Sequence, residues 1–597
     1  MIVYHDVSRR EATREKIQRL RRLAGEGDTT SFLVEFGELE QALLDAWTLP
    51  GPDRWDERAE RLRSGMIEAA GAFLAGIGRG GEIPESLGAV ARLAQIERAG
   101  VPERIRVLAP EGFVHYALDP AAYAVAASMY RREAGADRAA QAVVIGLRTI
   151  GATLSAIVAA EIGAKRGCTV RPRKHGHTRQ ILADNRLEAT VRRWTRQGAD
   201  VLIVDEGPGI TGETFAAAAE WIRGLGVPDE RIILFPSRVG GMELAPPDRR
   251  EWFRRARKYP PPAEDRRAHE LAAAFGLDGL QDLSAGGWRA VVPGGAGEPA
   301  AIFRERVKFR GRRGRGEWHQ LRYVGLARWG EDLVRRASAL AEAGLGPEPE
   351  GAESGFILTG WVPGRVVNRR EACRDPDFVA AVERYLSGRA PLFPTGEAVA
   401  LDPVVEMLVE NATDALGAGP EGLGAAVRRL QRLPEREAVI PDARMRAREW
   451  IRSESGYAKV DALDHGAGIW FPGAADLAWD IAAAAVEFGL DDAGIARLAA
   501  ACARSAGDDP AVLAEAAAAY RPAYAACNFA EAALAAREAP EPEDRRRLEA
   551  EAAGYRVALR TAILEAAARE PRGIFKLSLR GPADRCRGVS DSAPRSA

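Results

Sequence analysis

The segment from residue 201 to residue 214 constrains the fold of this chain more than any other. It reads Val-Leu-Ile-Val-Asp-Glu-Gly-Pro-Gly-Ile-Thr-Gly-Glu-Thr. The four aliphatic residues Val201 to Val204 lack the alternation of a half-exposed strand and are typical of a central parallel strand covered on both faces. The pattern therefore predicts an open α/β sheet, with Asp205 and Glu206 at the carboxyl edge, where such sheets bind ligands.

The loop after these acids has the composition of an anion cradle. Gly209 and Gly212 remove side chains so that backbone amides can approach a ligand, and Thr211 and Thr214 add hydroxyl donors. Residues 215–224 have helical character, so their N-terminus directs unpaired N–H groups and a positive dipole at the loop. A phosphate group suits this cradle, and the acids suit ribose hydroxyls or a hydrated magnesium ion.

This segment resembles the phosphoribosyl-diphosphate loop of type I phosphoribosyltransferases, in which an apolar strand, two acids and a short spacer precede Thr-Gly-x-Thr. The resemblance implies an enzyme that uses phosphoribosyl diphosphate and magnesium to ribosylate a small base-like acceptor. It also implies that Asp205 binds the metal. The residues that would bind phosphoribosyl diphosphate are Arg148, Thr149, Gly151, Asp205, Glu206, Gly209, Thr211, Gly212 and Thr214.

Two further elements of that family occur upstream in the expected order. An apolar strand at 142–145 leads into Gly-Leu-Arg-Thr-Ile-Gly, where the family has its diphosphate loop, and then into a helix of small residues. A short strand at 168–170 leads into the charge-dense segment 171–179, which is similar to the flexible loop of orotate phosphoribosyltransferases. The alternative for 171–179 is a solvated basic loop. The resemblance implies that catalytic residues stabilise the departing diphosphate here, namely Arg171, Lys174 and His175.

Two departures from the family pattern leave the activity open. The acid that several purine-type members have three residues after the second loop acid is Gly209 here, and the spacer is one residue longer than usual. Either the acceptor needs little help in losing its proton, as in the orotate enzymes, or the site binds without turnover. The alternative function is thus a non-catalytic sensor of phosphoribosyl diphosphate or a nucleotide.

Length and composition limit the remaining classes. A chain of 597 residues is too long for one core and predicts three or four domains. With 28% charged residues and a net charge of −1, small-molecule substrates are expected rather than nucleic acid or membrane. The start lacks a basic and apolar leader, which predicts a cytoplasmic protein, and the five cysteines have no spacing for zinc or a disulfide framework. Type I members are commonly dimers, so a homodimer is a further expectation.

The second half of the chain resembles aminoglycoside-phosphotransferase-like kinases. The sequence Ser-Gly-Phe-Ile-Leu-Thr-Gly-Trp-Val-Pro-Gly at 354–364 is similar to the strand and hinge between their lobes. The resemblance implies ATP as a further cofactor and Asp442 as the catalytic acid. It implies nucleotide binding by Lys308, metal binding by Asp464 or its competitor Asp461, and a structural role for Asp476.

The kinase resemblance has departures of its own. Ile-Pro replaces the usual histidine-glycine before Asp442, and Ala447 stands where an asparagine is expected. The alternatives are a degenerate kinase that binds or scaffolds without phosphoryl transfer, or a generic α+β domain whose acids cap helices and pair with arginines.

The predicted fold class is a multidomain α/β and α+β protein. It combines a helical N-terminal region, a type I phosphoribosyltransferase-like parallel sheet and a bilobal kinase-like domain. The predicted segments are a helical accessory region (1–100), the transferase-like domain (101–240), a proline-rich linker (241–279), the small lobe (280–362), the helical large lobe (363–569) and a disordered tail (570–597).

Overall fold

The computed structural model describes residues 1–5, 7–78, 86–175, 178–209, 211–240, 242, 245–262, 265–314 and 316–569. The predicted tail at 570–597, and Gly176 and His177 of the predicted basic loop, lie outside the described residues. The described chain is a mixed α/β protein with a parallel sheet, an antiparallel sheet and a helical lobe. None of its described helices combines the length and the apolar character needed to cross a membrane.

The first part of the chain surrounds a two-stranded antiparallel ribbon with helices. The elements are β1 (Ser8–Ala12), α1 (Thr13–Glu26), α2 (Thr29–Thr48), α3 (Glu57–Gly78), α4 (Ser86–Arg98), β2 (Arg104–Leu108), α5 (Glu111–Val114), α6 (Pro120–Ala134) and α7 (Ala136–Ala140). The spacing of apolar residues predicts a first helix from Ser8 to Leu23, but the helix begins at Thr13, because β1 pairs with β2. Local periodicity does not reveal so distant a partner. The alternating pattern within 105–118 predicts strands there, but Phe113 and Val114 lie in the short helix α5.

The parallel sheet comes next. Its elements, with the helices around it, are β3 (Val143–Leu147), α8 (Gly151–Ile162), β4 (Arg166–Val170), β5 (Pro172–His175), β6 (Thr178–Ile181), α9 (Asn185–Thr195), β7 (Val201–Val204), α10 (Glu213–Gly224), β8 (Ile232–Phe235), α11 (Pro247–Arg255) and β9 (Arg257–Lys258). The strand order is β4-β3-β7-β8-β9, with parallel pairing throughout. Strands β5 and β6 form a separate antiparallel hairpin.

Strand β7 lies at the centre of this sheet, as its aliphatic sequence predicts. Its residues are all buried, and they alternate between two hydrophobic cores. Val201 and Ile203 pack in the core that contains α9 and α10, whereas Leu202 and Val204 share a core with α8 and the N-terminal helices. The N-terminal helices therefore belong to the packing of the sheet. Strand β9 extends the sheet past residue 240 into the predicted linker, because its backbone pairs with β8.

An antiparallel sheet of order β10-β11-β12-β14-β13 follows. The elements are α12 (Asp265–Ala274), β10 (Leu277–Asp282), β11 (Lys308–Arg313), β12 (Glu317–Tyr323), α13 (Ala327–Glu342), β13 (Pro349–Glu353) and β14 (Phe356–Gly360). The sequence predicts strands at 287–292 and 300–309, but the residues between β10 and β11 contain short 3-10 turns. They pack on the helical lobe instead of the sheet, with Arg304 paired to Glu538 at 3.1 Å.

The helical lobe completes the described chain. Its elements are β15 (Arg365–Val366), α14 (Arg369–Ala372), α15 (Pro376–Arg389), β16 (Pro394–Ala398), α16 (Asp402–Leu416), α17 (Leu423–Gln431), β17 (Glu437–Val439), β18 (Trp450–Ser453), β19 (Gly456–Lys459), α18 (Leu477–Phe488), α19 (Asp492–Ala506), α20 (Pro510–Glu538) and α21 (Pro542–Ala568). Small residues let α18 and α20 pack closely around buried Trp479, Tyr520 and Tyr524. This core supports the loops that face the antiparallel sheet.

Candidate functional site

Two acids, Asp205 and Glu206, lie at the carboxyl end of β7. Asp205 accepts hydrogen bonds from the Glu206 N–H at 2.8 Å and from Thr214, while Glu206 accepts one from the Gly112 N–H at 2.8 Å. Among the described residues, neither carboxylate forms an ion pair. Arg179 acts on Asp205 and Arg238 on Glu206 only from beyond ion-pair distance, so in the described chain the site concentrates negative charge without a direct cationic contact.

Burial has a marked effect on both acids. It is the largest influence on Asp205 and raises the pKa of that carboxyl to about 7. Burial, followed by the neighbouring carboxylates of Glu111 and Asp205, raises the pKa of Glu206 well above its usual range. Perturbed acids at the ligand-binding edge of a sheet are typical of functional sites.

The turn between β7 and α10 has the shape that the sequence predicts. Gly209 is exposed with φ +62°, and Gly212 has φ +64° immediately before the helix. This left-handed backbone favours glycine at position 212. The Thr211 carbonyl accepts a hydrogen bond from Arg249 at 2.9 Å, and Thr214 lies in the first turn of α10. Ile210 lies outside the described residues.

The loop after β3 is only partly available to a ligand. Thr149 and Gly151 lie at the carboxyl end of β3, beside β7, and a Cβ on Gly151 would lie 2.8 Å from the Val204 carbonyl oxygen. Arg148 is different, because its guanidinium is buried and donates to Asp45 at 3.0 Å and to Asp53. Arg148 therefore links the loop to the N-terminal region and is not a free ligand for diphosphate.

The predicted basic loop is the hairpin formed by β5 and β6. Arg171, just before it, donates from Nε to Asp45 at 2.8 Å, so its charge is also compensated by the N-terminal region. Lys174 and His175 are exposed at the end of β5. The Arg179 side chain on β6 lies 3.9 Å from Glu213 at the start of α10. The hairpin thus lies beside the turn that follows the acid pair, with Lys174 and His175 as its available basic side chains.

A second site is a cavity of about 220 Å³ between the antiparallel sheet and the helical lobe. Trp288, Trp361 and Trp470 form aromatic parts of its wall. Lys308 at the start of β11 also lines it, with Nζ 3.5 Å from Glu305. A cavity with aromatic walls and a cation suits a ligand that joins a flat ring to an anionic group.

The predicted metal ligands of this cavity are occupied by arginines and a histidine. Asp464 pairs with Arg306 and, at 2.7 Å, with Arg322. Asp461 lies 2.8 Å from the same Arg322 and 3.4 Å from His465. Burial would raise the pKa of Asp464, but Arg306 and Arg322 outweigh it and hold that pKa well below the usual range. Cationic side chains of the protein therefore already balance the negative charge of Asp461 and Asp464.

The predicted catalytic acid, Asp442, is also paired with a cationic side chain of the protein. Asp442 is 1% exposed and lies outside the cavity lining, where it accepts hydrogen bonds from Tyr385 and from Lys459 Nζ at 3.3 Å. Lys459 also donates to Glu449 at 3.1 Å, next to the place where Ala447 replaces the expected asparagine. An ammonium group therefore lies between Asp442 and Glu449, so this acid cluster does not fit a magnesium ion.

Sequence reasoning missed the residue that holds the Asp442 loop. Asp480 accepts hydrogen bonds from the N–H groups of Asp442 and Ala443, both at 2.8 Å. Asp476, predicted as a structural acid, caps α18 and pairs with Arg436. The available signal was an acid, Asp480, in the first turn of a helix that is otherwise mostly apolar.

One short segment separates the two sites. Gly112 donates its N–H to Glu206, and two residues later the Val114 carbonyl accepts from Arg306, which pairs with Asp464. His115 lies 3.0 Å from Arg306, and burial followed by that arginine lowers its pKa to about 3. His115 is therefore neutral. It packs in this wall, and the neighbouring Tyr116 lines the cavity.

No protein-family model and no curated protein matches this chain. Three solved structures resemble part of it. A choline/ethanolamine kinase family protein from Mesorhizobium loti is 18% identical with a TM-score of 0.34, over 51% of this chain and 98% of that one. Macrolide 2'-phosphotransferase MphH from Brachybacterium faecium is 16% identical with a TM-score of 0.31, over 49% and 98%. A GDP complex of aminoglycoside 2'-phosphotransferase-IIIa is 11% identical with a TM-score of 0.31, over 50% and 99%.

All three are kinases or phosphotransferases, the class that the second half of the chain resembles in sequence. At these identities and TM-scores the likeness decides no function, so the assignment depends on this chain's own residues. The comparisons give no support to the predicted phosphoribosyltransferase.

Proposed function

We propose that the carboxyl edge of the parallel sheet binds phosphoribosyl diphosphate with magnesium and transfers the ribosyl group to a small base-like acceptor. The observation that carries this proposal is the Asp205–Glu206 pair, two partly buried acids without an ion-pair partner in the described chain. Such a pair is costly unless a ligand hydroxyl or a cation compensates it. The turn at 207–214 and the start of α10 lie beside it and suit a phosphate group.

These residues fit magnesium. Carboxylate oxygens are the ligands that this ion prefers, and no ammonium group competes for them in the described residues. A bound ion would neutralise diphosphate oxygens. In this proposal Asp205 holds the ion, Glu206 holds ribose hydroxyls, and the turn at 211–214 holds the 5′-phosphate.

The transfer would break the bond between C1 of the ribose and the diphosphate oxygen, so that diphosphate leaves with the electron pair. An acceptor nitrogen then forms the new bond to C1 and releases its proton. Lys174 and His175 would hold the diphosphate group equally in the bound substrate and as it departs. Arg148 and Arg171 would act indirectly, because acids of the N-terminal region already engage their guanidinium groups.

The first experiment measures binding of phosphoribosyl diphosphate with magnesium, and release of diphosphate with a panel of bases and small amines. Asp205→Asn combined with Glu206→Gln should abolish both. The matched control is Asp229→Asn combined with Glu230→Gln, an Asp-Glu pair just before β8, at the amino edge of the same sheet. Acceptor-dependent release that survives in the first double variant would contradict the proposal. Tight binding without release by any acceptor would favour the sensor alternative.

A second candidate function, nucleotide binding, belongs to the cavity between the antiparallel sheet and the helical lobe. The observation that favours it is Lys308, whose ammonium faces a cavity with aromatic walls. A more extensive form of this proposal is that the domain also transfers a phosphoryl group from the bound nucleotide to a small metabolite. It is opposed by Arg306 and Arg322 on Asp464, and by Lys459 on Asp442, since these acids do not fit magnesium as they are paired.

An experiment distinguishes nucleotide binding alone from phosphoryl transfer. Binding of ATP that is unchanged by a magnesium chelator, with no phosphorylated product, would support nucleotide binding alone. Magnesium-dependent product would support transfer, and its loss in Asp464→Asn would assign the metal role to that acid. Small-molecule partners, a homodimer and a cytoplasmic location remain proposals of the same kind, and sedimentation would test the dimer.

A further inference from the structure

We propose that Asp53, in the segment between α2 and α3, is the positioning residue that fixes the pose of the β5–β6 hairpin beside the ribose-phosphate site. The proposal rests on the function proposed above. It assigns a specific role in that site to the N-terminal helical region.

The backbone of Asp53 holds the end of the hairpin. Its N–H donates to the Leu182 carbonyl at 2.8 Å, and its carbonyl accepts from the Asp184 N–H at 2.9 Å. Asp53 thereby forms a parallel bridge to Ala183, immediately after β6. The chain that leaves the hairpin is thus fixed to a residue of another region.

The carboxylate of Asp53 holds the beginning of the hairpin. Its Oδ2 accepts from the Arg171 N–H at 2.8 Å, one residue before β5, and its Oδ1 accepts from Arg148 in the loop after β3. Asp53 is 1% exposed, so these hydrogen bonds are shielded from water. One side chain therefore connects the start of the hairpin to the loop beside the acid pair.

Neighbouring residues of the same segment reinforce this base. Asp45 accepts from the guanidinium groups of Arg148 and Arg171, and the Pro50 carbonyl accepts from Arg173 at 2.7 Å. Of these three described residues, Asp53 alone contacts both ends of the hairpin through hydrogen bonds and also reaches the β3 loop. Because β5 and β6 are short, the direction in which Lys174 and His175 extend depends on how this base is held.

The test uses Asp53→Asn, which replaces one acceptor oxygen with an NH2 group that faces donors. Loss of one charge-assisted hydrogen bond should raise the KM for phosphoribosyl diphosphate about tenfold, with kcat changed less than about twofold. Trypsin cleavage within 171–179 should become about tenfold faster. The matched control is Asp56→Asn in the same segment, whose carboxylate caps α3 and contacts no hairpin residue in the described chain.

Unchanged KM and unchanged cleavage in Asp53→Asn would overturn the proposal, and so would a KM increase without faster cleavage. If the wild type neither binds nor turns over phosphoribosyl diphosphate while cleavage still accelerates, the clamp stands and the proposed function fails. A variant that does not fold leaves hydrogen exchange of the wild type as the test. The Arg171 and Asp184 amides should exchange much more slowly than that of His175, and equal rates would overturn the clamp.

Discussion

Asp205→Asn should stabilise the protein while it destroys ligand binding. Burial raises the pKa of Asp205 to about 7, whereas aspartate in an unfolded chain titrates near about 3.9. Holding the carboxylate ionised in the fold therefore costs free energy, and an asparagine of the same shape avoids that cost. The protein would retain this cost because the charged form is the one that holds a cation.

The size and the pH range of the effect follow from the two pKa values. A group whose pKa rises on folding contributes stability that is complete below its unfolded pKa and is lost as the pH rises through its folded pKa. Wild type and variant should therefore be equally stable at about pH 4 and diverge up to about pH 7. The full difference between the folded and unfolded pKa values corresponds to about 4 kcal/mol in the free energy of unfolding. Because this carboxylate is partly exposed, solvent screening reduces the expected effect to about 1–2 kcal/mol.

Calorimetry of both proteins between pH 4 and pH 8.5 measures this difference. A gain of about 1–2 kcal/mol corresponds to a rise of about 2–8 °C in the transition of the parallel-sheet domain. Binding of phosphoribosyl diphosphate with magnesium should fall more than about tenfold in the same variant. A variant that is less stable at every pH and still binds the ligand would refute the reasoning. Binding by wild type should itself weaken below about pH 7, because protonated Asp205 is a poor metal ligand.

The cavity of the second half gives three further predictions. Lys308→Met should weaken ATP binding about tenfold by calorimetry, while Arg313→Met at the other end of the same strand should not. Lys459→Met leaves Asp442 and Glu449 without their cation and should lower the free energy of unfolding by about 3–5 kcal/mol; an unchanged denaturation midpoint would contradict the pairing. Burial would lower the pKa of His465, but Asp461 outweighs it and raises that pKa to about 9. The stability that this pair contributes below about pH 6.5 should therefore be lost as the pH rises through about 9. Denaturation at several pH values should show this dependence in the wild type and not in His465→Gln.

Local sequence was enough to predict the centre of the parallel sheet. Val201 to Val204 form a buried strand because four aliphatic residues in succession need apolar cover on both faces, and α10 follows where its helical pattern begins. Gly209 and Gly212 in the turn at 207–214 also have positive φ values, which glycine adopts without strain. These features depend on near neighbours in the chain, which periodicity and residue type describe.

Charge compensation could not be predicted in this way. Arg148 and Arg171 look like free anion ligands in the sequence, yet Asp45 and Asp53 engage both of them from far upstream in the chain. Asp464 is another example, since it pairs with guanidinium groups from β12 and from the segment before β11, and the sequence alone does not predict this pairing.

The sequence by itself therefore determined where the chain changes from strand to turn to helix, and which residue types lie at the carboxyl edge of β7. Only the tertiary structure decided which of those charges remain available to a ligand. The physical reason is that strand and helix formation depend on interactions over a few residues, whereas the charge state of a buried group depends on every side chain within a few ångströms. Asp205 and Asp464 have the same side chain, and their surroundings alone shift one pKa up and the other down.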